Sequence, residues 1–346
     1  MFDPDTFLTV LYVMVDDFCR QHLPDEPSVP GPAPALSPSE TITLALFGQF
    51  ARFQSEQDFF RFAKQRLVPL FPTLPHRAQF NRFRRACASL MQRRHGRAIV
   101  TFGLFLAKQM KVAQNSAYEV LDRCGVATRW CGRRGAGWLP EYTDKGRCAR
   151  LGWFHGVHLL TAVSDEGVIT GSGLGPASAK DQPMAEALFF ARATQDTRLA
   201  SAGLPAGSRC YVLDKGFSGA ALHQCWRERY DVELVCAPQR DNQGRQRWPK
   251  EWRQWLAGLR QIVESVHDKL VNGFRLGRER PHELDGLFTR LSAKVALHNF
   301  SSCRRFRDQA GSGCQAPLTD RALSSATFSS ASARLPALVQ LIPLPF

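Results

Sequence analysis

The sequence predicts a mixed α/β fold preceded by an all-helical region, and three observations carry that expectation. Apolar residues recur at helical spacing over much of the first 115 residues. After that the order of patterns is three strands, helix, strand, helix, strand, helix. The turn Ser164-Asp165-Glu166-Gly167 makes strands two and three an antiparallel hairpin. The later alternation adds strands to the same sheet, with helices on both faces.

Residues 6–22 read as a helix with the stripe Phe7, Leu8, Leu11, Val15 and Phe18. Six prolines in residues 24–38 then mark a loop. Ser37, Pro38 and Glu40 form a capping-box start for a helix running to about Phe53. Another covers Glu56 to Leu67, and prolines 69, 72 and 75 follow it. Over residues 76–94 a helical wheel puts Phe80, Phe83, Cys87, Leu90 and Met91 on one side. Asn81, Arg82, Arg85, Ser89, Gln92 and Arg93 fall on the other, a face suited to phosphates or base edges as in a recognition helix. In the second region, strands are expected at 117–124, 151–163, 168–174, 209–214 and 232–237. Helices are expected from Asp181 to Ala193, over 218–229, and from Trp248 to Val271.

Charge narrows the partners. Lys and Arg number 45 against 31 Asp and Glu, and between Asp58 and Glu119 there are twelve basic residues and no acidic one. Such a stretch suits a polyanion, because each neutralised phosphate releases condensed counterions. Arg77, Arg82, Arg85 and Arg93 are the candidate contacts. Ten cysteines without a CxxC pair, and an opening segment unlike a secretory signal, point to reduced thiols in a cytoplasmic protein. No apolar run is long enough to span a bilayer.

The chemistry is expected at three acids. Asp122 follows Tyr118-Glu119-Val120-Leu121, and Asp214 follows Cys210-Tyr211-Val212-Leu213 and precedes Lys215-Gly216-Phe217. Glu264 lies on the long helix, on a flank shared with Arg260 and His267 at i, i+4 and i+7. The element order matches a ribonuclease-H-like fold, in which the first and fourth predicted strands are neighbours. Asp122 and Asp214 would then meet, and Glu264 would lean over them. Taken singly, each acid reads as a strand end, a turn former or half of a helical ion pair. Together they can converge as hard oxygen ligands for divalent cations.

From Tyr118 to Asn299 the chain resembles bacterial insertion-sequence transposases of the DDE type. The motifs are VLDRCGV, GWFHGVHLLTAVSDEGVITGSGLGPASAKD, YVLDKGF, RQIVESVHDKL and AKVALHNF. The segments LSPSETITLALFGQFARFQSEQDFFRFA and FPTLPHRAQFNRFRR are similar to the N-terminal part of the same proteins. The resemblance implies Asp122, Asp214 and Glu264 as catalytic carboxylates holding two Mg²⁺ ions, with Mn²⁺ as a substitute. It makes Arg260 the arginine of the helix motif and implies a DNA contact at Lys215; His158 stands where relatives often carry lysine, as a phosphate contact or as a packed histidine. It also implies a homodimer on DNA, acting on the element's terminal inverted repeats and on target DNA, nucleoid-associated in a bacterial cytoplasm.

This chain has Ala257 where many relatives carry tyrosine, and Val271 where many carry lysine. The expected organisation is a helical DNA-binding region (1–115), a catalytic domain (116–300) and a low-complexity tail (301–346) read as translated out of frame. Rival readings are a nuclease of the same fold without strand transfer, and a decayed transposase that only binds DNA.

Overall fold

A computed structural model describes residues 4–23, 35–51, 53, 55–86, 98–110, 116–129, 132, 138–193, 210–239, 244, 248–280 and 282–303. The described chain divides into two compact units, one running to Leu106 and resuming at Leu270, the other from Ala107 to Lys269.

The first unit is helical: α1 (Pro4–His22), α2 (Pro38–Phe50), α3 (Glu56–Phe62), α4 (Arg77–Ala86) and most of α5 (Ala98–Gln109). The α2 start is the capping box read from sequence. Glu40 N donates to Ser37 Oγ at 3.1 Å, and Ser37 N donates to Glu40 Oε2 at 2.7 Å. α3 passes into a π-helical turn, Ala63–Leu67. The core is aromatic, with Phe7 stacked on Phe50 and edge-on to Phe300, and Phe18 against Phe102 and Phe105.

The sequence assigns residues 270–300 to the sheet-bearing region, but they fold into the helical unit. The last described helix, Leu284–Ser302, is buried continuously from Leu291 to Phe300, and a helix apolar on so many sides needs helices around it. Lys294 inside it is held by Glu279 at 3.1 Å, Gln49 at 2.9 Å and the Phe274 carbonyl at 2.5 Å. Most of the proline-rich loop and nearly all of the expected tail lie outside the described residues.

The second unit is built on a six-stranded mixed sheet, β1 (Glu119–Arg129), β2 (Asp144–Cys148), β3 (Gly152–Ser164), β4 (Ile169–Pro176), β5 (Cys210–Leu213) and β6 (Glu233–Cys236). The order is β2-β3-β1-β5-β6, with β4 also paired to β3. β1 and β3 are antiparallel; β1, β5 and β6 are parallel. In sequence order these strands interleave with α6 (Asp181–Ala193), α7 (Ala220–Tyr230) and α8 (Lys250–Asp268).

Two strand expectations need correction. β1 runs on to Arg129, so Asp122 sits within the strand, not at its end. β2 lies where no strand is expected, since DKGRC lacks apolar alternation. Its one buried position is Gly146, where a Cβ would lie 2.1 Å from the Ala177 carbonyl oxygen.

Alternation along β1 divides the acids from the core. Leu121, paired with Ala162, packs in a cluster with Phe189 of α6 and Trp226 of α7. Val120 and Asp122 therefore face the other side, where Leu256, Leu259, Val263 and Val266 form the buried stripe of α8. The described cysteines are free thiols, and among the described residues no helix is long and apolar enough to cross a membrane.

Candidate active site

The site forms where β5 stops and β1 continues. Glu119 is level with Tyr211 and Val120 with Val212, so the parallel register carries Asp122 level with Asp214. Both carboxylates reach one guanidinium on α8. Arg260 Nη2 lies 3.5 Å from Asp122 Oδ2, and Arg260 Nη1 lies 3.3 Å from Asp214 Oδ1. Each carboxylate also accepts from the amide that follows it, Arg123 N at 2.8 Å and Lys215 N at 2.7 Å.

Burial raises the Asp122 carboxyl above its ordinary range, and the nearby Asp214 charge adds to that. The Arg123 amide and Arg260 pull in the opposite direction. The shared Arg260 cation thus offsets part of the burial cost at Asp122.

Glu264 lies on the same α8 flank but is exposed. Both its flank neighbours touch the sheet: Arg260 meets the aspartates, and His267 Nε2 lies 2.8 Å from Thr161 Oγ1. Thr161 is the β3 residue paired with Asp122. Burial, then the Arg150 charge, lowers the His267 pKa to about 4, so the ring is neutral.

Asp122 and Asp214 supply the hard, anionic oxygen donors that a divalent cation takes. Yet among the described residues no group of three or more His, Cys, Asp or Glu side chains stands close enough to hold a metal ion. The chain brings two of the three expected carboxylates together and leaves Glu264 outside the pair.

The expected DNA contacts separate. Lys215 is exposed and lines a cleft of about 600 Å³ beside Asp214, with Gln239, Arg253 and Arg260. Arg77 and Arg82 are exposed on α4. The Arg85 side chain and Arg93 lie outside the description.

Two readings fail. Asn81, expected on the free face of α4, donates to Glu56 at 2.9 Å. His158 is fully buried on the α6 face, edge-on to Phe154 and 3.2 Å from Arg123 Nη1. Burial and Arg123 lower its pKa to about 4, so it is a neutral packed ring.

The sequence reading also passed over Arg123. It ion-pairs with Asp181 at the start of α6 and donates to the Ala179 carbonyl at 2.5 Å. Burial raises the Asp181 carboxyl, Arg123 lowers it, and the Asp122 and Asp214 charges raise it further. The signal for Arg123 was its adjacency to Asp122, which puts it on the opposite face of the strand.

Six strands in mixed array, helices on both faces and two aspartates level at the parallel seam define a ribonuclease-H-like core. Residues 124–300, more than half of the chain, match the family described as the transposase DDE domain, and the chain belongs to that family. No curated protein and no solved structure matches it.

Proposed function

We propose that this chain cuts DNA at the ends of an insertion sequence and joins the freed ends to target DNA by two successive phosphoryl transfers. Membership of the DDE family supports DNA as substrate. The observation that carries the mechanistic reading is the shared Arg260 contact of Asp122 and Asp214.

In this proposal Asp122, Asp214 and Glu264 hold two Mg²⁺ ions, with Mn²⁺ able to substitute. When bound, the metal supplies Lewis acidity that acidifies an attacking hydroxyl and screens the phosphate charge. The chain's own residues do the rest. The Asp122 and Asp214 carboxylates stay fixed by the Arg123 and Lys215 amides. Arg260 moves its guanidinium from the carboxylates to a phosphate oxygen, and Lys215 grips a neighbouring phosphate. In the first transfer water oxygen bonds to phosphorus as the P–O3′ bond breaks, leaving a 3′-hydroxyl. In the second, that hydroxyl bonds to a target phosphorus and displaces another 3′-oxygen. Arg77, Arg82, Arg85 and Arg93 bind the terminal repeats, and the working form is a homodimer on DNA in the bacterial cytoplasm.

The test is metal-dependent nicking and strand transfer by wild type and Asp214→Asn on duplex taken from the DNA flanking the gene. The substitution should reduce both by at least about a hundredfold, the scale of losing one group that stabilises transition-state charge. Nicking that persists in the variant removes the catalytic assignment. Nicking without joining makes the chain a nuclease, and DNA binding with neither makes it a decayed transposase. The exposed position of Glu264 gives that last reading its one specific support.

A further inference from the structure

The β2–β3 ribbon carries a patch that the site above does not use. Trp153 is 59% exposed, among the most exposed large hydrophobic residues described. Lys145 Nζ sits 4.9 Å from the centroid of its ring, a contact that holds the indole in place while leaving it open to solvent. Across the strand pair Arg147 is opposite Trp153, and Lys145 is opposite His155. On the other side of β3, Arg129 is opposite His155. The His155 pKa is lowered by burial first and then by Arg129 and Lys145, so both cations are close to that ring. Asp144, the acid of β2, is engaged by the Ser178 amide at 2.8 Å and by its hydroxyl.

Register ties the patch to the acid pair. Trp153, His155, Val157, Leu159 and Thr161 alternate onto one face of β3, and Thr161 is paired with Asp122. The patch therefore lies on the same sheet face as Asp122, eight residues along β3 from Thr161. At about 3.3 Å per residue that is roughly 26 Å, close to eight base-pair steps of duplex. Between them Arg150 reaches over β1, donating to the Gly125 carbonyl at 2.6 Å and touching Cys124 Sγ at 3.9 Å. Cations thus run from the ribbon toward Asp122.

We propose that this face of the ribbon is a second DNA contact, with an unstacked base laid on the Trp153 indole and adjacent phosphates held by Lys145, Arg147 and Arg129. It rests on the reading of the chain as a DNA-cutting enzyme. An exposed indole flanked by cations offers a π-face to any base and charge to the backbone on each side of it.

The experiment uses the full chain and two probes, fluorescent oligo(dT) and duplex from the DNA flanking the gene. Trp153→Ala should weaken oligo(dT) binding roughly fivefold to a hundredfold, the range measured for losing one base stack. Lys145→Ala with Arg147→Ala should lower the slope of log affinity against log salt by about 1.4, two single-strand phosphate contacts. A photo-crosslinking residue at position 153 should label flanking duplex roughly eight nucleotides from the cleaved bond. Wild-type affinity and salt slope in both variants would overturn the proposal. So would variants that change only the sedimentation of the free protein, since the face would then be a protein interface. Asp214→Asn separates the two readings: cleavage persisting in that variant sinks the catalytic assignment while leaving the ribbon contact to its own binding test.

Discussion

On the α6 face of the sheet, Glu119, Arg192 and Tyr211 close a buried network. Arg192 Nη1 lies 2.5 Å from both Glu119 Oε2 and Tyr211 Oη, and Nη2 donates to Thr170 at 3.2 Å. On the α8 face, Asp122 and Asp214 share one guanidinium at 3.3–3.5 Å and stay partly open to solvent. The first set is short and sealed, with Glu119 Oε2 on Arg192 while Oε1 is buried without a hydrogen-bond partner, and burial pushes the Tyr211 hydroxyl up to about 12. The second has more acid than base and longer contacts. Charges held by short contacts in the core are locked to one partner, whereas a partly exposed pair with longer contacts is left able to exchange partners.

The comparison can be broken most forcefully at Arg192. Arg192→Ala strands Glu119 without its cation in the core and should cost about 3–5 kcal/mol, read by chemical denaturation. A variant as stable as wild type would mean that the sealed network contributes nothing.

One histidine on each face, His158 buried and His267 half-buried, sharpens it further. His158 and His267 both titrate near 4 when folded, against the ordinary 6.5. The unfolded chain therefore binds more protons between those values. Their stabilising contribution is complete above pH 6.5 and is lost as pH falls toward about 4. Each contributes a slope of up to about 1.4 kcal/mol per pH unit. His158→Gln should flatten the melting-temperature profile in that window, and an unchanged profile would contradict the burial of that ring.

Ser37→Ala, in the other unit, removes the capping box and should cost about 1 kcal/mol. It is the control for generic loss of stability, and nicking at permissive temperature should be retained. The smallest expected change is in the stability of Asp122→Asn. Because the fold disfavours that carboxylate's charge, the amide should leave unfolding free energy within about 1 kcal/mol of wild type. A loss like that of Arg192→Ala would erase the difference between the faces.

The sequence carried the seam well and its surroundings poorly. Val-Leu-Asp in β1 and at the end of β5 stood out because apolar runs ending in an acid are strand-like and short. Their adjacency followed from element order alone. β2 was invisible because its pairing depends on Gly146 fitting against the Ala177 carbonyl, not on any pattern. The long helix over Leu284–Ser302 showed its apolar character but not which unit would bury it. The sequence left His158 open and put Asn81 on a free face for one reason: a polar residue's accessibility depends on the partner across the fold, here Arg123 and Glu56. Periodicity carries no trace of that partner.

The parallel seam at Glu119–Tyr211 and Val120–Val212 joins segments far apart in the chain. A ribosome must therefore release most of the polypeptide before the second aspartate exists to meet the first, and α8 with Arg260 emerges later still. A nascent or prematurely ended product stopping short of Asp214 carries the basic helices without the acid pair. Such a product also lacks the Leu284–Ser302 helix, so neither compact unit is complete until the chain beyond Leu270 has been made.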